Sequence, residues 1–371
     1  SGEERGAGAA LARAALCAAE PLYRLGIAAR NTLYDSGLFR GHDLGRPTVS
    51  IGNLTTGGTG KTPMVIDVAR RLLAMGHEPG VLLRGYSRAS DSRAGKARRQ
   101  PSAGFNDETD RQAHLSDEAT EHAEALDPPL PVGVDADRIR AAGRILETNP
   151  SVTAFILDDA FQHRRAKRDL DIVLIDATQP FGFGHVLPRG LMREPVSALR
   201  RADAIIVTRA DRVDADTLAN LDARIQRVTG RPATAHAAHA WSAWRGRDGA
   251  TQPLDALRDS AVVTLCGIGN PGAFLSSVRE HVGDVIASHV FDDHEPYADA
   301  DRLAQLLDDA ASSGASAIVT TEKDWVKLRR HEAMIEPPVP ILRPQLTIRW
   351  LDGEDAIASL LGSLYDDRSG V

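Results

Sequence analysis

Between residues 47 and 208 the chain alternates short apolar runs with stretches of helical period. The runs fall at 47–51, 80–83, 152–157, 171–175 and 204–208, and each is dominated by Val, Ile, Leu and Phe or by small residues. Runs this short and this apolar are the pattern of strands buried on both faces. Helices are predicted between them at 63–75, 117–125 and 137–147. Strands alternating with helices predict an α/β fold of the P-loop NTPase kind, a mostly parallel sheet with helices on both faces. After Arg231–Pro232 the pattern restarts, with strand-like runs at 261–266, 285–290, 315–320 and 340–350. These predict a second, smaller α/β domain.

Three segments follow: 1–35, a nucleotide-binding domain over 36–235, and a smaller domain over 236–371 that closes over the site. Residues 89–114 are polar and aperiodic and read as a surface excursion. The first segment is rich in Ala and Leu from 11 to 33, broken by Arg13, Glu20, Pro21, Arg24 and Arg30. Pro21 is expected to open a second helix carrying Leu22, Leu25 and Leu33. No stretch is long and apolar enough to span a bilayer, and no signal-peptide pattern is present. Two readings stay open: an amphipathic helix at a membrane surface, and a helix packed on the catalytic domain.

Composition narrows the partners. At 371 residues two domains are the default. A net charge of −7 opposes a broad nucleic-acid footprint. Cys17 and Cys266 stand far apart, so neither a disulfide framework nor a cysteine metal site is indicated.

The strongest chemical signal is Thr55-Thr56-Gly57-Gly58-Thr59-Gly60-Lys61-Thr62, set between a strand and a helix. Glycines let successive amides and the helix N-terminus face phosphate oxygens. Lys61 is placed to reach the β- and γ-phosphates, and the Thr62 hydroxyl to ligate Mg²⁺. The general pattern asks for Gly where Thr55 stands. A second element fits the loop: the run 152–157 ends in Asp158-Asp159, where enzymes of this kind hold the metal or its waters.

Several separated blocks resemble the tetraacyldisaccharide 4′-kinase family. They are Ile51-Gly52-Asn53-Leu54 before the loop, Leu83-Arg84-Gly85-Tyr86, Asp117-Glu118, Asp158-Asp159-Ala160-Phe161-Gln162-His163-Arg164-Arg165, Asp169-Leu170-Asp171-Ile172, Leu187-Pro188-Arg189-Gly190 through Arg193-Glu194-Pro195, Asp293-His294, and Thr320-Thr321-Glu322-Lys323-Asp324. The resemblance implies an ATP- and Mg²⁺-dependent enzyme that phosphorylates the 4′-hydroxyl of a lipid A disaccharide precursor. It also implies peripheral attachment to the cytoplasmic face of the inner membrane, with no nucleic acid and no obligate protein partner. By the same resemblance Asp117 is the base for the acceptor hydroxyl, paired with His294. Lys61 and Asp159 are further catalytic candidates, and Glu118 joins Thr62, Asp158 and Asp159 as a candidate metal residue. Arg84, His163, Arg189 and Arg193 are candidates for phosphate or substrate contacts.

Two other readings compete. Gly267-Ile268-Gly269-Asn270-Pro271-Gly272 has the spacing of a dinucleotide fingerprint, with Asp292 about twenty residues on. Pro271 stands where the helix should begin. A deviant P-loop switch ATPase acting on a protein partner would carry Lys at the position of Thr56.

Overall fold

A computed structural model describes residues 7–84, 117–126, 128–292, 297, 299–329 and 337–366. The chain divides into two compact units. One comprises 1–106, 122–239 and 348–371, the other 107–121 and 240–347. The division falls between 239 and 240, where a boundary near 236 was expected, and the last 24 residues group with the first unit. Asp117, expected in the nucleotide-binding domain, falls within the range of the second unit.

The first unit opens with α1 (Ala7–Asp35), one helix with Pro21 inside it. The expected break at Pro21 does not occur. Glu20 and Tyr23, on either side of it, both bond to the 185–193 loop and hold the helix direction across the lost hydrogen bond. Next come β1 (Thr48–Asn53), α2 (Lys61–Ala74), β2 (Pro79–Leu83), α3 (Asp117–Ala123), of which only His122 and Ala123 belong to this unit, β3 (Val132–Val134), α4 (Arg138–Thr148), β4 (Ala154–Asp158), β5 (Leu170–Asp176), β6 (Ala204–Thr208), α5 (Ala215–Thr229) and the first half of β7 (Ala235–Arg245). The strands pair in the order β3-β2-β4-β1-β5-β6-β7, and every pairing is parallel. β1, β4, β5 and β6 are buried along their whole length, which is why they read as continuous apolar runs. One core layer gathers Leu54, Phe161, Val173, Leu199, Val207 and Ile225, and another gathers Leu82, Ala141, Ile145, Phe155 and Leu157.

In the second unit the end of β7 pairs antiparallel with β8 (Thr251–Gln252). β9 (Ala261–Cys266), α6 (Pro271–Arg279), β10 (Asp284–Val290), α7 (Ala300–Ser312), β11 (Ala317–Thr320), α8 (Glu322–Leu328) and β12 (Ile341–Asp352) follow. β10-β9-β11-β12 is again a parallel order. Alternate residues of β9 serve opposite layers: Val263 and Leu265 pack with Trp325 and Leu307, Val262 and Cys266 with Phe274 and Val278. The last described element, α9 (Glu354–Asp366), belongs to the first unit.

The glycine-rich turn after β9 is held from inside the unit. Gly267 donates its amide to Asp324, a fully buried carboxylate that also accepts from Thr321 and from Tyr297. Pro271 is tolerated as the first residue of α6, with Asn270 capping it. The first glycine of the turn thus spends its amide on a protein carboxylate inside the same unit.

Candidate active site

The loop after β1 is built for close approach. A Cβ on Gly52 would lie 2.6 Å from the Cβ of Phe161, so only glycine lets the Asp159–His163 turn lie against β1. Gly60 precedes α2 with φ 87°, a left-handed conformation that favours glycine. Gly60 gives α2 no side-chain cap, which leaves the first-turn amides free to face an anion. The loop is fixed from both flanks. Thr56 donates its amide to Leu191 at 2.7 Å, and the Thr208 hydroxyl at the end of β6 donates to the Thr59 carbonyl at 3.0 Å.

Lys61 faces the acids that end β4. Its Nζ is 3.6 Å from Asp159 Oδ1 and 3.5 Å from Asn53 Oδ1. Asp159 itself is held at φ 50°, uncommon for a residue with a side chain. Arg193 Nη1 grips its other oxygen at 2.7 Å, while the Arg193 amide donates to Leu54. Gln162 completes the brace by donating to the Asn53 carbonyl at 2.8 Å.

Asp158 is 2% exposed and pairs with the fully buried His122 at 3.0 Å. Burial raises its pKa. The hydrogen bond from His122, and then the charges of His122 and Lys61, outweigh that and hold it below the usual carboxylate range. Its Oδ1 is buried and has no partner among the described residues. Arg138, also buried, donates to the Asp158 carbonyl at 3.3 Å. His163 is half-buried; desolvation, then the charges of Arg138 and Arg168, push its pKa down to about 4, so it is neutral near pH 7.

The structure thus brings together Lys61, Thr62 at the start of α2, Asp158, Asp159 and Arg193. It sends Arg189 elsewhere, to Glu20 of α1 at 3.5 Å. Arg84 is exposed at the end of β2. The side chains of Asp117 and Glu118 and the whole of His294 lie outside the described residues. Sequence reasoning missed His122 and Arg138. Each stands on the apolar stripe of its helix, His122 three after Ala119 and Arg138 three before Ala141, and that placement was the available signal.

A parallel sheet with a strand–glycine loop–helix at its centre, and a lysine facing two strand-end carboxylates, defines a P-loop phosphotransferase. The family model for Tetraacyldisaccharide-1-P 4′-kinase matches residues 12–364. The chain belongs to that family. It is 38% identical over 364 residues to the tetraacyldisaccharide 4′-kinase of Geobacter sulfurreducens, covering 97% of this chain and 96% of that one. It is 40% identical over 326 residues to the enzyme of the same name from Anaeromyxobacter dehalogenans, covering 86% and 82%. Among solved structures it is similar to the "apo" form of LpxK from Aquifex aeolicus in complex with ATP. That likeness has a TM-score of 0.71 and 27% identity, over 95% of this chain and 99% of that one.

Proposed function

We propose that this chain transfers the γ-phosphoryl group of ATP to the 4′-hydroxyl of a tetraacyldisaccharide 1-phosphate, a lipid A precursor. The observation that carries the reading is the Lys61–Asp159–Arg193 brace beside the uncapped start of α2. A sugar hydroxyl is a weak nucleophile, so transfer needs fixed phosphates, charge neutralisation and a base. The loop amides and Lys61 hold the β- and γ-phosphates in line. Asp117 takes the proton from the 4′-hydroxyl, and His294 pairs with it and sets its basicity.

Mg²⁺ suits the donor set. Among the described residues there is no cluster of three or more His, Cys, Asp or Glu side chains able to cage a metal. A Mg²⁺ ion bound through phosphates and waters needs only one or two protein oxygens. Thr62 and the unpartnered Asp158 oxygen supply them, whereas both oxygens of Asp159 already face cations. When bound, the ion neutralises charge on the β- and γ-phosphates.

The membrane reading draws on α1. No helix among the described residues is long and apolar enough to cross a membrane. The helix is anchored to the first unit through Glu20, Tyr23 and Arg30. It nevertheless leaves Leu22 73% and Leu25 67% exposed, with Leu38 and Phe39 exposed just beyond it. Both readings of this segment are therefore combined: a helix packed on the catalytic unit presents leucines to the cytoplasmic face of the inner membrane.

The test is incubation with labelled ATP and the detergent-dispersed disaccharide 1-phosphate. A bisphosphorylated product is expected, with Asp117→Ala lowering turnover roughly 10²–10⁴-fold at near-normal ATP affinity. ATP hydrolysis of equal rate without the lipid would instead support the switch ATPase.

A further inference from the structure

The groups that fix the terminal phosphate all lie on one side of the loop. Lys61, Asp158 and Asp159 sit at the carboxyl end of β4, which pairs with one edge of β1. The other edge of β1 pairs with β5, then β6, then β7. A triphosphate anchored by its γ end on the β4 side has the carboxyl ends of β5 and β6 on its other flank, open to take its nucleoside.

Chemistry that the phosphates do not use collects there. Arg209, directly after β6, stands in the left-handed region at φ 52°. Such a conformation in a residue with a side chain persists only where its surroundings enforce it. Its guanidinium is paired with Asp176 at the end of β5. Asp176 is held in turn by the Thr178 amide at 2.9 Å and the Thr178 hydroxyl at 2.6 Å. Arg209 is therefore a planar cation pinned in one orientation and still 33% exposed. His239, near the middle of β7, presses its ring on the loop, so close that a Cβ on Gly60 would lie 2.0 Å from Nε2. That Nε2 is buried without a partner, as is the hydroxyl of Thr59, itself only 4% exposed. Burial, then the charge of Arg209, pushes the His239 pKa down to about 4, leaving an uncharged ring.

We propose that Arg209, pinned by Asp176, is the platform on which the nucleotide base stacks, and that His239 walls the nucleoside side of the loop. This rests on the ATP reading of the loop and extends it to the part of the ligand the loop cannot recognise. A guanidinium plane stacks on a base face whatever the base's hydrogen-bonding edge, and the neutral ring adds no charge to repel or trap the sugar.

The experiment compares two probes by calorimetry on the full-length protein: ATP, and inorganic tripolyphosphate, which has the phosphates and no nucleoside. Arg209→Ala should weaken ATP roughly tenfold, the usual worth of a stacked, partly desolvated cation, and leave tripolyphosphate unchanged. Arg209→Lys keeps the charge beside Asp176 but removes the planar face, so it should lose ATP affinity with the melting temperature preserved. Lys61→Ala should weaken both probes alike. Equal weakening of both probes by the Arg209 variants, or no weakening of ATP, overturns the inference while the phosphate-loop reading stands. A wild-type protein that binds neither probe overturns that reading and the inference with it.

Discussion

Replacing Arg193 by Met removes a cation and keeps most of its bulk. The lost pair has N···O 2.7 Å, with side chains 23% and 21% exposed, so it lies between a surface and a buried ion pair. Surface pairs contribute about 0.2–1 kcal/mol and breaking a buried one costs about 3–5; an intermediate cost of about 1–3 kcal/mol is expected here. The catalytic consequence is larger. Lys61 Nζ stands 3.6 Å from Asp159, too far for a direct hydrogen bond. Released from Arg193, Asp159 can close on Lys61 to a charge-assisted distance of about 2.8 Å. The lysine is then drawn off the phosphate by something near 1 Å, a displacement of the kind that costs roughly 10²-fold in rate. Turnover should therefore fall roughly 10²-fold in a protein that still melts cooperatively, and Arg193→Lys should recover part of it. The assay is initial rate against ATP at saturating lipid acceptor, beside a melting curve. Turnover within threefold of wild type in folded Arg193→Met would refute the brace as a positioning device.

Two further expectations follow from other parts of the first unit. His236 bonds Asp352 through Nδ1 and Asp222 through Nε2; burial lowers its pKa, but the Asp352 hydrogen bond and the Asp222 charge outweigh it and raise the net value. A raised folded pKa gives stability that is full below the unfolded value near 6.5 and fades as pH climbs through the folded one. The denaturation midpoint should drop as pH rises above about 6.5, and His236→Gln should flatten that drop; parallel wild-type and variant curves would refute it. On α1, Leu22→Asp with Leu25→Asp removes two exposed leucines, each worth about 1.5–3 kcal/mol when fully buried in an apolar phase. Co-flotation with anionic vesicles should be lost while ATP affinity stays; undiminished flotation would exclude this face as the docking surface.

The parallel sheet and the phosphate loop were legible because their signals are local: apolar runs of strand length, and glycines between a strand and a helix. Asp158 and Asp159 were legible as a strand end beside that loop. What held them was not. Arg193 is 34 residues from Asp159, and nothing in the spacing says that its side chain reaches back to it, although the family blocks marked both. Arg189, marked by the same block, pairs with Glu20 of α1, more than 160 residues away. Arg209 and His239 were passed over because an arginine after one strand and a histidine in another carry no pattern until the sheet order makes β6 and β7 neighbours. The single helix through Pro21 was hidden for a related reason. Proline argues for a break, and the contacts that overrule it come from more than 160 residues away.

The return of the chain end to the first unit bears on the order in which the protein is made. Residues 348–371 belong with residues synthesised before the bulk of the second unit. In α9, Ile357 and Leu361 are fully buried, Glu354 pairs with Arg71 of α2 at 2.7 Å, and Asp352 holds His236. On the ribosome, the nucleotide-binding unit must wait, with β7 and α2 lacking these partners, until all of the second unit has emerged. Contacts spanning some 280 residues make this closure slow relative to local folding. A chain that stops short of its last two dozen residues would carry every phosphate-binding residue and still lack the segment that finishes their support.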